Sequence, residues 1–78
     1  MTQAEWDALH MTQEDVEKKI RHLPNALDHH IDNNPEDEVI GHGVGTESSG
    51  YMKGSFGIFT FFRKPNGREY YCFAKPPS

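Results

Sequence analysis

The residues in this chain that could do chemistry are five histidines, one cysteine and a run of alternating glycines. His29 and Asp32 are three apart and could chelate a metal from one helix face. However, His10, His22, His29, His30 and His42 form no His-Glu-x-x-His pattern, and no cysteine pair or calcium-loop spacing accompanies them. Four of the five lie in polar segments where a solvated histidine is ordinary. Cys72 stands among Tyr70, Tyr71 and Phe73 and reads as a small hydrophobe. A nucleophilic thiol needs a cationic neighbour or a helix N-terminus to lower its pKa. Gly41-His42-Gly43-Val44-Gly45 has the look of a phosphate loop. Such a loop needs a helix after it, and the stretch from Thr46 to Gly54 is loop-like instead. A small nuclease could use His42 as base with Lys53, Arg63 or Arg68 stabilising the phosphorane, but no spacing demands it. The expectation is therefore a protein that is not an enzyme, with no catalytic residue, cofactor or metal.

Two other constellations point to binding. Phe59, Phe61, Tyr71 and Phe73 alternate with Arg63, Lys64, Arg68 and Lys75, the chemistry of a stacking platform for single strands. A net charge of −4 opposes that reading, because phosphate contacts supply most nucleic-acid affinity. The charge is also segregated. Residues 1–40 hold ten acids and three bases, net −7; residues 41–78 hold two acids and five bases, net +3. A negative surface can steer to a basic groove on another protein and occupy it as a nucleic acid does. Glu5, Asp7, Glu14, Glu17, Asp28, Asp32, Glu36 and Asp37 are the candidate acidic contact residues.

The acidic half reads as helices. Thr2 and Glu5 have capping-box spacing, with Met1 and Trp6 at the staple positions. Thr12 and Asp15 repeat the arrangement less favourably, with Met11 against Val16. These starts predict helices over about 3–10 and from 13 onward. Val16, Ile20 and Leu23 form a core stripe, and Glu14–Lys18 and Glu17–Arg21 are favourable pairs on the wet side. Pro24 stops the second helix and can open a third, with Leu27 and Ile31 inward and Asn33-Asn34-Pro35 as its end. Glu36-Asp37-Glu38 reads as an acidic link.

The basic half reads as a sheet. Pro65-Asn66-Gly67 predicts a type I turn with a G1 bulge. The register set by that turn opposes Arg63 to Glu69, Phe61 to Tyr71 and Phe59 to Phe73, giving one charge pair and two aromatic pairs. Residues 39–45 form a further strand, with Gly41, Gly43 and Gly45 in a row where rings can lie. Thr46 to Gly50 is a loop, and residues 51–54 begin a strand or lead into Phe56. The hairpin has two apolar faces, Phe59, Phe61, Tyr71 and Phe73 on one and Phe56, Ile58, Phe62, Tyr70, Cys72 and Ala74 on the other. Three short helices can cover one of them.

Seventy-eight residues allow one thin core, and Leu, Ile, Val and Phe number only 15, so aromatics must supply much of it. The expected architecture is α+β. Two or three short N-terminal helices, within an acidic part at 1–34, pack on a three- to four-stranded antiparallel sheet at 38–75, with its turn at 65–67. The first residues carry no basic or apolar leader and Cys72 is single, so the expected location is cytoplasmic, with no membrane contact. The expected function is a small binding or inhibitor protein that occupies a surface of a larger host protein or nucleoprotein complex. A phage-encoded inhibitor of a nucleic-acid-handling complex, in defence or transcription, is the type. The alternatives are an RNA- or DNA-binding regulator using the hairpin, then a histidine nuclease. Phe59, Phe61, Tyr71 and Phe73 are expected to make a homodimer or anchor a partner.

Overall fold

The computed structural model describes residues 2–48 and 50–76. The elements run α1 (Gln3–Ala8), β1 (His10–Met11), α2 (Gln13–Ile20), β2 (Glu38–Thr46), β3 (Phe56–Arg63) and β4 (Glu69–Ala74). Both helix starts are those the sequence announces. Thr2 Oγ1 accepts from the Glu5 amide at 3.2 Å, and Thr12 Oγ1 accepts from the Asp15 amide at 3.2 Å. Met1, the expected staple partner of Trp6, lies outside the described residues, as do Ser49 in the loop and Pro77 and Ser78 in the tail.

The fold is α+β, with one sheet in the order β1-β2-β3-β4. The sheet is mixed, not purely antiparallel. The first helix stops at Ala8, and His10 and Met11 pair parallel with β2, His10 opposite His42 and Met11 opposite Gly43. A two-residue strand has no periodicity to betray it. The other pairs are antiparallel, and the hairpin has the expected register: Arg63 opposite Glu69, Phe61 opposite Tyr71, Phe59 opposite Phe73. The Lys64 amide donates to Arg68 O at 2.7 Å, and Gly67 sits at φ 93°.

The third helix does not form. Residues 24–33 make turns instead, and the edge of β4 is the reason. Pro24 O accepts from the Tyr71 amide and the Ala26 amide donates to Tyr71 O, so this stretch is pinned beside the strand. Asn25 Oδ1 also accepts from the Leu27 amide, a local bond that competes with helix. His30, at φ 52°, turns the chain away. Leu27, expected inward, is 71 % exposed.

The core lies between α2 and one face of the sheet. Val16, Ile20, Phe59, Phe61 and Tyr71 are buried together, with Met11, Leu23, Ile40 and Phe73 packed around them. The glycine row of β2 makes room, but for the helix rather than for aromatic rings. A Cβ on Gly43 would stand 2.5 Å from Val16 Cγ2 and 2.8 Å from Met11 O. Phe59 packs on Tyr71 and Phe73 at centroid distances of 5.5 and 4.9 Å. Lys19 lays its stem along this layer, its Nζ 5.8 Å from the Phe61 centroid.

The turn gives a direct test. Among the described residues nothing stands within 4 Å of a Cβ built on Gly67, so a substitution there meets only the backbone cost of positive φ. Gly67→Val is expected to lower stability by about 1–2 kcal/mol, read from the urea midpoint. An unchanged midpoint would show that the turn tolerates a different conformation.

Candidate functional site

Alternation along β2 sends Gly41, Gly43 and Gly45 toward α2 and His42 and Val44 to the opposite face. There the register aligns His42 with Thr60 and Cys72, and Val44 with Ile58 and Ala74. Phe62 and Tyr70 make the row at one end, stacked at 5.3 Å, while Phe56 opposes Thr46 at the other. Among the described residues, this second face is covered at two margins only.

The first margin is α1. The Trp6 indole stacks on the His42 imidazole at 3.9 Å and 9°, and His10 meets the same ring edge-on at 5.4 Å. His42 Nε2 lies 2.7 Å from Trp6 O. A carbonyl only accepts, so Nε2 carries the proton and donates it. The imidazole is thus buried and engaged by ring face and by nitrogen, and it holds α1 to the sheet. Arg63, offered as its cationic partner, instead reaches Glu38 at 3.0 Å, with Glu38 the first contributor to its raised pKa.

The second margin is the segment 31–37. Tyr70 is fully buried; its hydroxyl donates to Asp37 Oδ2 and accepts from Asn33 Nδ2 at 2.9 Å. Lys64 Nζ reaches Asp37 Oδ2 at 3.0 Å and Asp32 O at 2.7 Å. The Asp37 side chain is 1 % exposed, so it belongs to this network and not to an acidic contact face. That corrects its placement among the surface carboxylates. The Tyr70 hydrogen bond is the largest influence holding the Asp37 carboxyl below its ordinary value, with help from the Asn34 amide and Lys64 against desolvation. Burial first, then the Asp37 hydrogen bond, pushes the Tyr70 phenol well up.

Between these margins the face is open. Val44 is 38 %, Ile58 40 % and Phe56 51 % exposed, with Thr60 and Cys72 half-buried in the next row. A hollow of about 450 Å³ lies at the β4 edge of this strip; its lining includes Ala26, Leu27, Ile31, Asp32, Cys72 and Phe73. Burial raises the Cys72 thiol pKa, so the thiolate a nucleophile needs is disfavoured.

The expected aromatic contact face is therefore the covered one of the two. Phe59, Phe61 and Tyr71 are fully buried under α2, and Phe73 is half-buried beside them. They do not present rings to a base or to a second copy. The expected acidic residues, Asp37 apart, lie at the surface. Glu5, Asp7, Glu14, Asp28, Asp32 and Glu36 are exposed, and Glu17 is half-exposed. Glu14 shares a surface ion pair with Lys18 at 3.2 Å. Asp28 lies close to Gly50.

Sequence reasoning missed Glu47. Placed in a loop by its neighbours, it is 1 % exposed, and it accepts from the Tyr71 hydroxyl at 2.8 Å, Asn25 Nδ2 at 2.8 Å and the Ser48 amide at 2.9 Å. The signal was slight: the odd positions of β2 run inward, and Glu47 continues them. Among the described residues, no group of three or more His, Cys, Asp or Glu side chains is placed to hold a metal ion. No helix among them is long and apolar enough to cross a membrane.

The Asp37–Tyr70 pair predicts a bounded stability window. A carboxyl with a lowered folded pKa stabilises fully above its ordinary value of 3.8 and loses that contribution as pH falls through the folded value. A phenol with a raised pKa stabilises fully below its ordinary 10.0 and loses that contribution as pH rises further. Tyr70→Phe should weaken both limbs of the stability profile measured by urea unfolding from pH 2 to 11. Limbs identical to wild type would show that the pair is not coupled to folding.

Compared with protein-family models, curated proteins and solved structures, the chain matches none.

Proposed function

We propose that this is a small binding protein that acts by occupying a surface of a larger protein, its acidic N-terminal half engaging lysines and arginines there. One observation carries the reading. Residues 2–17 hold Glu5, Asp7, Glu14, Asp15 and Glu17 with no lysine or arginine, and α1 buries none of its own residues. A six-residue helix is unstable by itself, and this one contributes nothing buried to the core. What it does present is charge, fixed in place by a Thr2 cap and by Trp6 on His42. The Glu14–Lys18 pair does not remove Glu14 from use, because an exposed ion pair is worth little and re-forms readily.

The partner this surface fits is one whose own ligand is nucleic acid, since a phosphate-binding groove supplies the matching basic side chains. Inhibition by occupying such a groove is the mechanism. Direct nucleic-acid binding through the hairpin has less support. Phe59, Phe61 and Tyr71 are buried, and Lys64 is held by the buried Asp37.

The test starts from a photo-crosslinking residue at the exposed Gln3 position, in protein produced in its source cells. A protein adduct is expected, and then a measured affinity for that partner. Reversing Glu5 and Asp7 to Lys, or Glu14 and Glu17 to Lys, should weaken that affinity about tenfold or more and flatten its salt dependence. An adduct formed only with RNA or DNA, or an affinity and salt slope untouched by both reversals, would overturn the reading.

A further inference from the structure

We infer that the open face of the sheet is the seat of a basic amphipathic helix belonging to the partner protein. This deepens the acidic-surface reading and rests on it, naming where the partner's apolar side chains go.

Three observations converge. The first is that Val44, Ile58 and Phe56 stand exposed on the face opposite α2, with Ala74 beside Ile58 in the register. Isolated exposed hydrophobics are ordinary, but aligned neighbours on one sheet face are a patch. The second is the hollow of about 450 Å³ at the β4 edge of this strip, where Ala26, Ile31, Cys72 and Phe73 line it beside the polar His30 and Asp32. It has room to admit a large apolar side chain, the kind of central anchor that dominates interface energetics. The third is charge. The two margins of the face are α1 and the segment 31–37. Residues 2–8 and 31–37 carry Glu5, Asp7, Asp32, Glu36 and Asp37 and no lysine or arginine. Asp37 is spent on Lys64 and Tyr70, which leaves four exposed carboxylates on the two segments that border the face.

The charge decides between occupants. A second copy of this chain would bring the same carboxylates against themselves. An anionic membrane would meet the same repulsion. A helix with leucine-type side chains on one face and lysines flanking them satisfies floor and margins together, with i, i+3, i+4, i+7 anchors along the strip.

The chain carries its own reporters at the site. Trp6, its one tryptophan, lies on His42 at one margin, and Cys72, its one cysteine, lines the hollow. The probe is an 18-residue amphipathic Leu/Lys helix peptide. Its controls are a Leu/Glu peptide of the same pattern and a Leu/Lys peptide scrambled to destroy the apolar face. The Leu/Lys helix is expected to shift Trp6 emission saturably and to slow Cys72 alkylation by iodoacetamide at least fivefold. The controls should do neither. Ile58→Glu should abolish the response, and the milder Ile58→Thr, whose fold is checked by circular dichroism, should weaken it about tenfold. Glu5→Lys with Asp32→Lys should weaken it similarly and reduce its salt dependence.

Equal response to the Leu/Glu peptide, indifference to Ile58→Thr, or light scattering that shows a dimer with Cys72 already protected would each overturn the inference. The partner captured through Gln3 separates this failure from failure of the broader reading. If its binding falls on reversing Glu5 and Asp7 but not with Ile58→Thr, the acidic surface stands and the seat on the sheet is wrong. If neither change affects it, both fall.

Discussion

The close approach of α2 to the glycine row of β2 is the contact on which the rest depends. Val16 sits where a side chain on Gly43 would otherwise be, and a Cβ on Gly45 would stand 3.2 Å from Val16 Cγ1. Only a strand stripped of side chains on one face lets an eight-residue helix bring its two buried residues, Val16 and Ile20, onto Phe59, Phe61 and Tyr71. Interiors are close-packed, so a thin core of this kind tolerates little displacement. The same alternation has a second effect. Removing side chains from the covered face leaves β2 to present His42 and Val44 on the other, and among the described residues nothing of comparable size packs there.

The loops are held by buried carboxylates, one on each face of the sheet. Tyr70 and Tyr71 are adjacent in β4 and so point to opposite sides. Tyr71 donates to Glu47 on the covered side, where Asn25 also reaches it, and this joins the end of β2 to the segment beside the β4 edge. Tyr70 donates to Asp37 on the open side and ties down the segment that leads into β2. Burying a carboxylate costs several kcal/mol unless hydrogen bonds and charge compensate it, so each loop is held in the one position that supplies its donors. Asp37 Oδ1 finds no partner among the described residues, so compensation on that side is incomplete. A chain with 15 side chains of the Leu, Ile, Val and Phe types uses polar ties where a larger domain would use more core.

What the sequence made legible was local. Both caps depend on residues three apart, and the hairpin register depends on one turn, so Thr2, Thr12 and Gly67 could be read directly. What it concealed was decided at long range. Residues 24–33 have proline-start chemistry, but their backbone is claimed by Tyr71, more than forty residues on. Asp37 and Glu47 look like solvated acids until a tyrosine from β4 reaches them. Which apolar hairpin face is covered also could not be read, because both are aromatic. The glycines of β2 settle it, and they do so only once α2 is known to lie on them. Of the candidate residues, the acidic ones other than Asp37 are exposed or half-exposed as read, and the aromatic ones lie on the covered face.

The open face is a small reservoir of free energy. A few hundred Å² of apolar surface, at about 25 cal/mol per Å², returns on the order of 5 kcal/mol from this side when covered. Loss of rigid-body freedom on association costs about 4–15 kcal/mol. Apolar contact alone is therefore close to break-even. On the proposed reading, the carboxylates at the margins alter that balance selectively. They speed encounter with a basic surface and penalise an acidic one, while each exposed pair adds little by itself. Affinity then arises only where both kinds of complementarity coincide. On the same reading, the uncovered side of the sheet becomes a source of specificity.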